Sequence, residues 1–125
     1  MNINKFKNRL FGRKIGRSKK KIDVENYLNL LKQYEIKAFD NKNKYILDIG
    51  TGYGETTLFL SKNFQNHIII SCEKYINGNL SLIKKIKLNN ISNIRIYPGN
   101  VHDLLDINSK KKYFDSVWIF FPDPW

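Results

Sequence analysis

Four short apolar runs, Tyr45 to Ile49, His67 to Cys72, Asn93 to Tyr97 and Asp115 to Phe121, are each followed at once by a glycine, an acid or a proline. The stretches between them are long enough for helices. Strands that alternate with helices in a βαβαβαβ run pack as a parallel sheet with right-handed crossovers, because each connection must return the chain to the same starting edge. An α/β fold with four parallel strands is therefore expected, with ligands taken at the ends where the strands run out.

The connecting stretches carry signals of their own. Val24, Tyr27, Leu28, Leu31 and Tyr34 recur at intervals of three and four, with Asp23 placed as a cap, which predicts an amphipathic helix before the first strand. A polar turn from Asp40 to Lys44 leads into that strand. Glu55 to Phe64 predicts a helix with Leu58 and Phe59 among its buried residues. Ile76 to Asn89 predicts another, on which Leu80, Ile83 and the stem of Lys87 share a face and Gly78 weakens the start. Val101 to Asp106 predicts a brief fourth helix.

The 125 residues, 42% of them apolar, suit one small globular domain. The formal net charge of +11 is unevenly spread: nine of the 22 Lys and Arg residues (Lys5, Lys7, Arg9, Arg13, Lys14, Arg17, Lys19, Lys20, Lys21) fall in the first 21 positions, with no acid among them. Residues 1–21, with Gly12 and Gly16, read as a basic arm that is flexible when free, and 22–125 as the folded part. Such an arm on a nearly neutral domain favours an anionic polymer, nucleic acid foremost, over a membrane or an acidic protein. The single cysteine, Cys72, cannot form an internal disulfide, and no cluster has zinc spacing, so a reducing compartment and no metal are expected. No apolar stretch approaches the roughly 18 residues of a membrane span, and the N-terminus lacks a signal core. A soluble, cytoplasmic protein with no membrane partner is the expectation.

The segment Asp48-Ile-Gly50-Thr-Gly52-Tyr-Gly54-Glu55 stands at the first strand-to-helix junction, where backbone approaches a ligand closely. A dinucleotide fingerprint would place its third glycine at position 55, and this chain has Glu55 there. Acids at 48 and 55 suit a pyrophosphate poorly, since a helix N-terminus that receives phosphate favours positive potential. A cationic ligand with an amino acid moiety fits better, and S-adenosyl-L-methionine is one, with Asp48 meeting its ammonium directly or through water. Glu73, at the end of the second strand, stands where a carboxylate accepts two ribose hydroxyls. The alternative for Asp48 is a turn acid, and for Glu73 a solvated strand end.

After the third strand, Asn100 offers a donor and an acceptor to a base edge, or else caps the helix that follows. His67 and His102 have no partner pattern that signals catalysis. The fourth strand feeds into Pro122-Asp123-Pro124-Trp125, a rigidly bracketed carboxylate at the ligand edge. Trp125 is a stacking surface for a base or an ordinary core residue, and Asp123 a ligand-facing acid or a cap.

With these residues in hand, the chain resembles the bacterial tRNA (guanine-N7-)-methyltransferase family. The arm piece Arg9-Leu-Phe-Gly-Arg13-Lys-Ile-Gly-Arg17, the loop Asp48 to Gly54 and the phrase Phe120-Phe-Pro-Asp-Pro-Trp125 carry the resemblance, and the last is the most specific. The resemblance implies a Rossmann-like class I methyltransferase fold, of which this chain holds the N-terminal part of the parallel sheet. It implies S-adenosyl-L-methionine as methyl donor and tRNA as partner, and no obligatory protein partner is evident, although a separate chain could complete the sheet. Asp48, Gly50, Gly52, Gly54, Glu73, Asn100 and Asp123 would bind the donor, Asp123 would be the active-site acid, and Arg13, Arg17, Asp123 and Trp125 would bind the substrate. Asp48 and Asn100 stand where the family often has Glu and Asp. Family members continue past the tryptophan with a basic segment and further strands, so the chain is expected to be C-terminally incomplete and, alone, to turn over poorly. Two other readings stay open: a methyltransferase acting on an exocyclic amine, against which the order Pro-Asp-Pro-Trp argues, and a non-catalytic RNA-binding remnant.

Overall fold

The structure, a computed structural model, describes residues 23–107 and 112–119. Helix α1, Val24–Leu31, is capped by Asp23, whose carboxylate accepts the Asn26 N–H at 3.0 Å. The elements that follow are β1 Lys44–Ile49, α2 Glu55–Asn63, β2 His67–Cys72, α3 Ile76–Leu88, β3 Ile94–Tyr97, α4 Val101–Ile107 and β4 Phe114–Ile119.

All four strands are parallel, in the order β3-β2-β1-β4. The chain thus leaves β1 in one direction, lays down β2 and β3, and returns to β1's other side for β4. That reversal is the topological switch point of an open α/β sheet, and it falls at the C-terminal end of β1. A short parallel bridge of Glu35 to Ile96 adds the segment after α1 to the outer side of β3. The sheet is apolar on both faces. Ile46, Ile69, Ile94 and Ile96 pack with Tyr27, Leu31, Leu60, Leu82, Ile83 and Ile86 of α1, α2 and α3, while Tyr45, Leu47, Ile70 and Cys72 pack with Leu104 of α4. Each fully buried leucine or isoleucine contributes about 1.5–3 kcal/mol of burial free energy.

Three helix faces differ from expectation. On α1, Tyr27 and Leu31 are buried but Val24 and Leu28 are exposed, so the inward stripe is narrower than the apolar spacing suggests. On α2, Phe59 is exposed and Leu58 is partly buried; Thr57, Leu60 and Ser61 point inward. The inward hydroxyls are paired, Thr57 with Asp48 at 2.8 Å and Ser61 with Asn93 at 2.5 Å, so they bury without loss. On α3 the buried face is Gly78, Asn79, Leu82, Ile83 and Ile86, while Leu80 is partly buried and Lys87 exposed.

Candidate methyl-donor site

The turn after β1 is built from three left-handed glycines, Gly50 at φ 68°, Gly52 at φ 56° and Gly54 at φ 95°. Residues with a side chain rarely adopt that region. Gly50 extends the ladder by donating its N–H to the Cys72 carbonyl at 3.0 Å. Between the glycines, Thr51 is buried, with its hydroxyl 2.8 Å from that of Ser71. Gly54 opens α2, and a Cβ there would press on the Leu82 side chain.

Glu73 grips this turn. One carboxylate oxygen accepts the Gly52 N–H at 2.8 Å and the other the Tyr75 N–H at 3.0 Å. A carboxylate has about four acceptor positions, so among the described residues these two bonds leave one open on each oxygen, enough for a vicinal diol. The Glu73 N–H donates to the Tyr97 carbonyl at 3.2 Å, which ties the ends of β2 and β3 together.

Asp48 lies beneath the turn and is only 1% exposed. Its Oδ2 accepts the Thr57 hydroxyl at 2.8 Å. Burial pushes its carboxyl up to about 6; the Thr57 bond opposes that rise and the nearby Glu73 charge adds to it. A cation seated above the turn would favour the ionised form. Asn100 directly precedes α4, and its carbonyl accepts the Leu104 N–H at 3.3 Å. Asp48, Glu73 and Asn100 therefore lie on or just beyond the C-terminal ends of three adjoining strands. Arg13, Arg17, Asp123 and Trp125 lie outside the described residues.

Sequence reasoning missed the first turn of α3. Gly78, read as a weak point, is where α3 meets the glycine turn: a Cβ on it would overlap the Gly52 carbonyl oxygen. Its signal was a glycine inside a helical pattern just after the strand-end acid Glu73, which marks a close backbone approach as readily as a weakness. Lys85 adds a second tie by donating to the Tyr53 carbonyl at 3.0 Å. The Tyr53 and Tyr75 rings meet edge-on beside the turn, with centroids 5.9 Å apart. Two clefts, of about 300 and 550 Å³, lie elsewhere, one against Phe39 and Tyr113 and the other against Leu58 and Asn93.

This site chemistry suits a cationic nucleoside: backbone without side chains at the turn, a carboxylate with two free acceptor positions, and a buried acid behind it. A family model described as "Putative methyltransferase" matches residues 42–125, and the chain belongs to that methyltransferase family. Among curated proteins, the chain is 31% identical over 117 residues to a tRNA (guanine-N(7)-)-methyltransferase of Neorickettsia sennetsu, covering 94% of this chain and 53% of that one. It is 33% identical over 121 residues to a bifunctional methyltransferase of Rickettsia prowazekii, covering 94% of this chain and 23% of that one. The chain spans about half the length of the first of these relatives and less of the second. Among solved structures, an antibiotic-related methyltransferase superposes with a TM-score of 0.54 at 21% identity, over 86% of this chain and 50% of that one. TrmK of M. capricolum, in complex with S-adenosyl-homocysteine, does so with a TM-score of 0.51 at 18% identity, over 75% and 39%. These likenesses bear on the fold, and they agree with the α/β architecture expected from the sequence.

Proposed function

We propose that the chain is the donor-binding part of an enzyme that transfers a methyl group from S-adenosyl-L-methionine to N7 of a guanine in tRNA, acting in the cytoplasm. The observation that carries the donor half is the closure of the left-handed glycine turn by Glu73, which leaves one acceptor position open on each carboxylate oxygen. The guanine half is supported by the name of the N. sennetsu relative and by the phrase Phe120-Phe-Pro-Asp-Pro-Trp125.

The bound donor supplies an electrophilic methyl group on a sulfonium. Glu73 would hold the ribose diol, Asn100 a base edge, and Asp48 the ammonium through water, given how little of its own surface it presents. Guanine N7 carries an in-plane lone pair and no proton, so alignment is the main requirement and no general base is needed. Asp123 would accept hydrogen bonds from guanine N1 and N2, orient N7 and stabilise the positive charge that develops on the ring. Pro122 and Pro124 would stiffen its backbone, Trp125 would stack on the base, and Arg13 and Arg17 with the rest of the arm would contact tRNA phosphates.

Incubating the protein with unmodified tRNA and S-adenosyl-L-methionine, then separating the digested nucleosides by mass spectrometry, tests the reading. N7-methylguanosine is expected, formed by this part alone at well below about one turnover per second. An N-methyladenosine product would assign it instead to exocyclic-amine chemistry, and tRNA binding without any methylated product would leave an RNA-binding module. Neutralising the nine arm bases is expected to abolish most tRNA binding and to flatten its salt dependence; unchanged binding would remove the arm from the interface.

A further inference from the structure

We infer that Tyr27 and Asn79 are positioning residues for the donor site, joining Glu73 to helix α1 at the root of the basic arm. The inference rests on the donor reading of Glu73 given above.

Asn79 is fully buried in the first turn of α3. Its Nδ2 donates to the Glu73 carbonyl oxygen at 2.8 Å and to the Tyr27 hydroxyl oxygen at 3.1 Å. Its Oδ1 has no hydrogen-bond partner among the described residues. A buried, unpaired amide oxygen is destabilising, and an apolar side chain of similar size would fill the space without it. What the amide supplies in exchange is its two donated bonds, to the Glu73 carbonyl oxygen and the Tyr27 hydroxyl, which an apolar side chain could not make.

The first acts on Glu73. That residue is already held by its N–H on the Tyr97 carbonyl and by its carboxylate on the Gly52 and Tyr75 N–H groups. The bond from Asn79 fixes its carbonyl, so the backbone from which the carboxylate projects is held on both sides. The second bond passes to Tyr27, which is 4% exposed on α1. Burial pushes the Tyr27 phenol above its ordinary value, so it stays neutral. Helix α1 begins two residues after the basic arm and reaches the diol-binding carboxylate through a single amide side chain.

The test uses two probes, S-adenosyl-homocysteine and its 2′-deoxyribose analogue, titrated calorimetrically against the unaltered chain and the variants Tyr27→Phe and Asn79→Ala, with thermal unfolding of each. Tyr27→Phe keeps the buried ring and removes only the hydroxyl. The unaltered chain is expected to prefer the parent probe by about tenfold, the equivalent of one hydrogen bond to a charged acceptor. Both variants are expected to reduce that preference to about threefold or less, because a displaced carboxylate no longer meets both hydroxyls. Full preference in both variants, whatever their unfolding temperatures, would make the bridge merely structural and overturn the inference. If Asn79→Ala fails to fold, Tyr27→Phe decides alone. Equal affinity of the unaltered chain for the two probes would remove Glu73 from the ribose and overturn the inference too. Binding of neither probe would overturn the donor reading itself and this inference with it.

Discussion

Gly78 and Gly52 meet backbone to backbone: a side chain starting at Gly78 would overlap the Gly52 carbonyl oxygen. The same Gly52 gives its N–H to Glu73 at 2.8 Å. The middle residue of the turn is therefore gripped on one side by the end of β2 and met on the other by the first turn of α3. A bare position at 78 lets the helix come down onto the turn, and the turn's shape then depends on where the helix lies.

This contact predicts an inversion of the usual helix rule. Replacing a glycine inside a helix by alanine normally stabilises by up to about 1 kcal/mol. Gly78→Ala is instead expected to destabilise by about 1–3 kcal/mol, since the group it strikes is backbone that cannot swing aside. Gly50→Ala is a useful contrast. It meets nothing within 4 Å but sits at φ 68°, so its cost is conformational strain alone, about 1–2 kcal/mol. Urea unfolding of both variants checks this, and a neutral or stabilised Gly78→Ala would mean that α3 does not rest on the turn.

Asp48 sets a pH dependence of definite sign. Its carboxyl is raised from 3.8 in the ordinary state to about 6 in the fold, so the folded chain holds that proton more tightly than the unfolded chain. The stability gained is fully present below the unfolded value and is lost as pH rises through about 6. Above that, keeping the carboxylate buried costs up to about 3 kcal/mol. Asp48→Asn retains an acceptor for Thr57 and removes this penalty. It is expected to be more stable than the unaltered chain at about pH 8 and to lose that advantage towards about pH 4, while binding S-adenosyl-homocysteine more weakly. Urea unfolding across this range decides it, and a stability difference independent of pH would rule out Asp48 as the group responsible.

The strands were legible because parallel strands buried on both faces read as unbroken apolar runs, as Tyr45 to Leu47 and Ile68 to Ile70 do. The positions of the strand-end acids were legible for the same reason, since once the strands are placed Asp48 and Glu73 must fall at the C-terminal edge of the sheet. The helix faces were less so. Periodicity counts apolar residues, but α2 turns Thr57 and Ser61 inward and Phe59 outward, because the hydroxyls find Asp48 and Asn93 on the sheet side. Gly78 and Asn79 escaped for a related reason. Each acts through a partner distant in sequence, the Gly52 carbonyl and the Tyr27 hydroxyl, and no local pattern contains both members.

At the opposite edge of the sheet, His67 Nε2 lies 2.9 Å from Asp115 Oδ2. The two belong to β2 and β4, which are not neighbours, so the pair reaches across the start of β1. The Phe64 ring packs edge-on against both His67 and Trp118 beside it. Because Asp115 is half exposed, His67→Ala and Asp115→Asn are each expected to cost no more than about 1 kcal/mol of global stability. Their effect should be local, with faster amide hydrogen exchange in β4 and little change in β3. Exchange mass spectrometry of peptides covering the two strands checks this, and equal protection of β4 with and without the pair would show that it does not fasten the strand.

Cys72 offers a probe of the fold that is linked to the candidate donor site. The thiol is 3% exposed at the end of β2 and donates to the Gly99 carbonyl at 3.5 Å. Burial pushes it up to about 12, with the charges of Glu73, Asp48 and Asp103 adding to the rise. At about pH 8 only roughly one folded molecule in ten thousand carries the reactive thiolate, and that one is shielded. Iodoacetamide should therefore label the chain only as fast as β2 opens. Because Glu73 is the next residue along, an opening that exposes Cys72 also dismantles the grip on the glycine turn, so a ligand of that turn must hold the thiol closed. S-adenosyl-homocysteine at about 100 times its dissociation constant is expected to slow labelling about 100-fold. Prompt labelling of the folded chain would contradict the burial, and slow labelling unaffected by the ligand would separate the opening of β2 from the donor site.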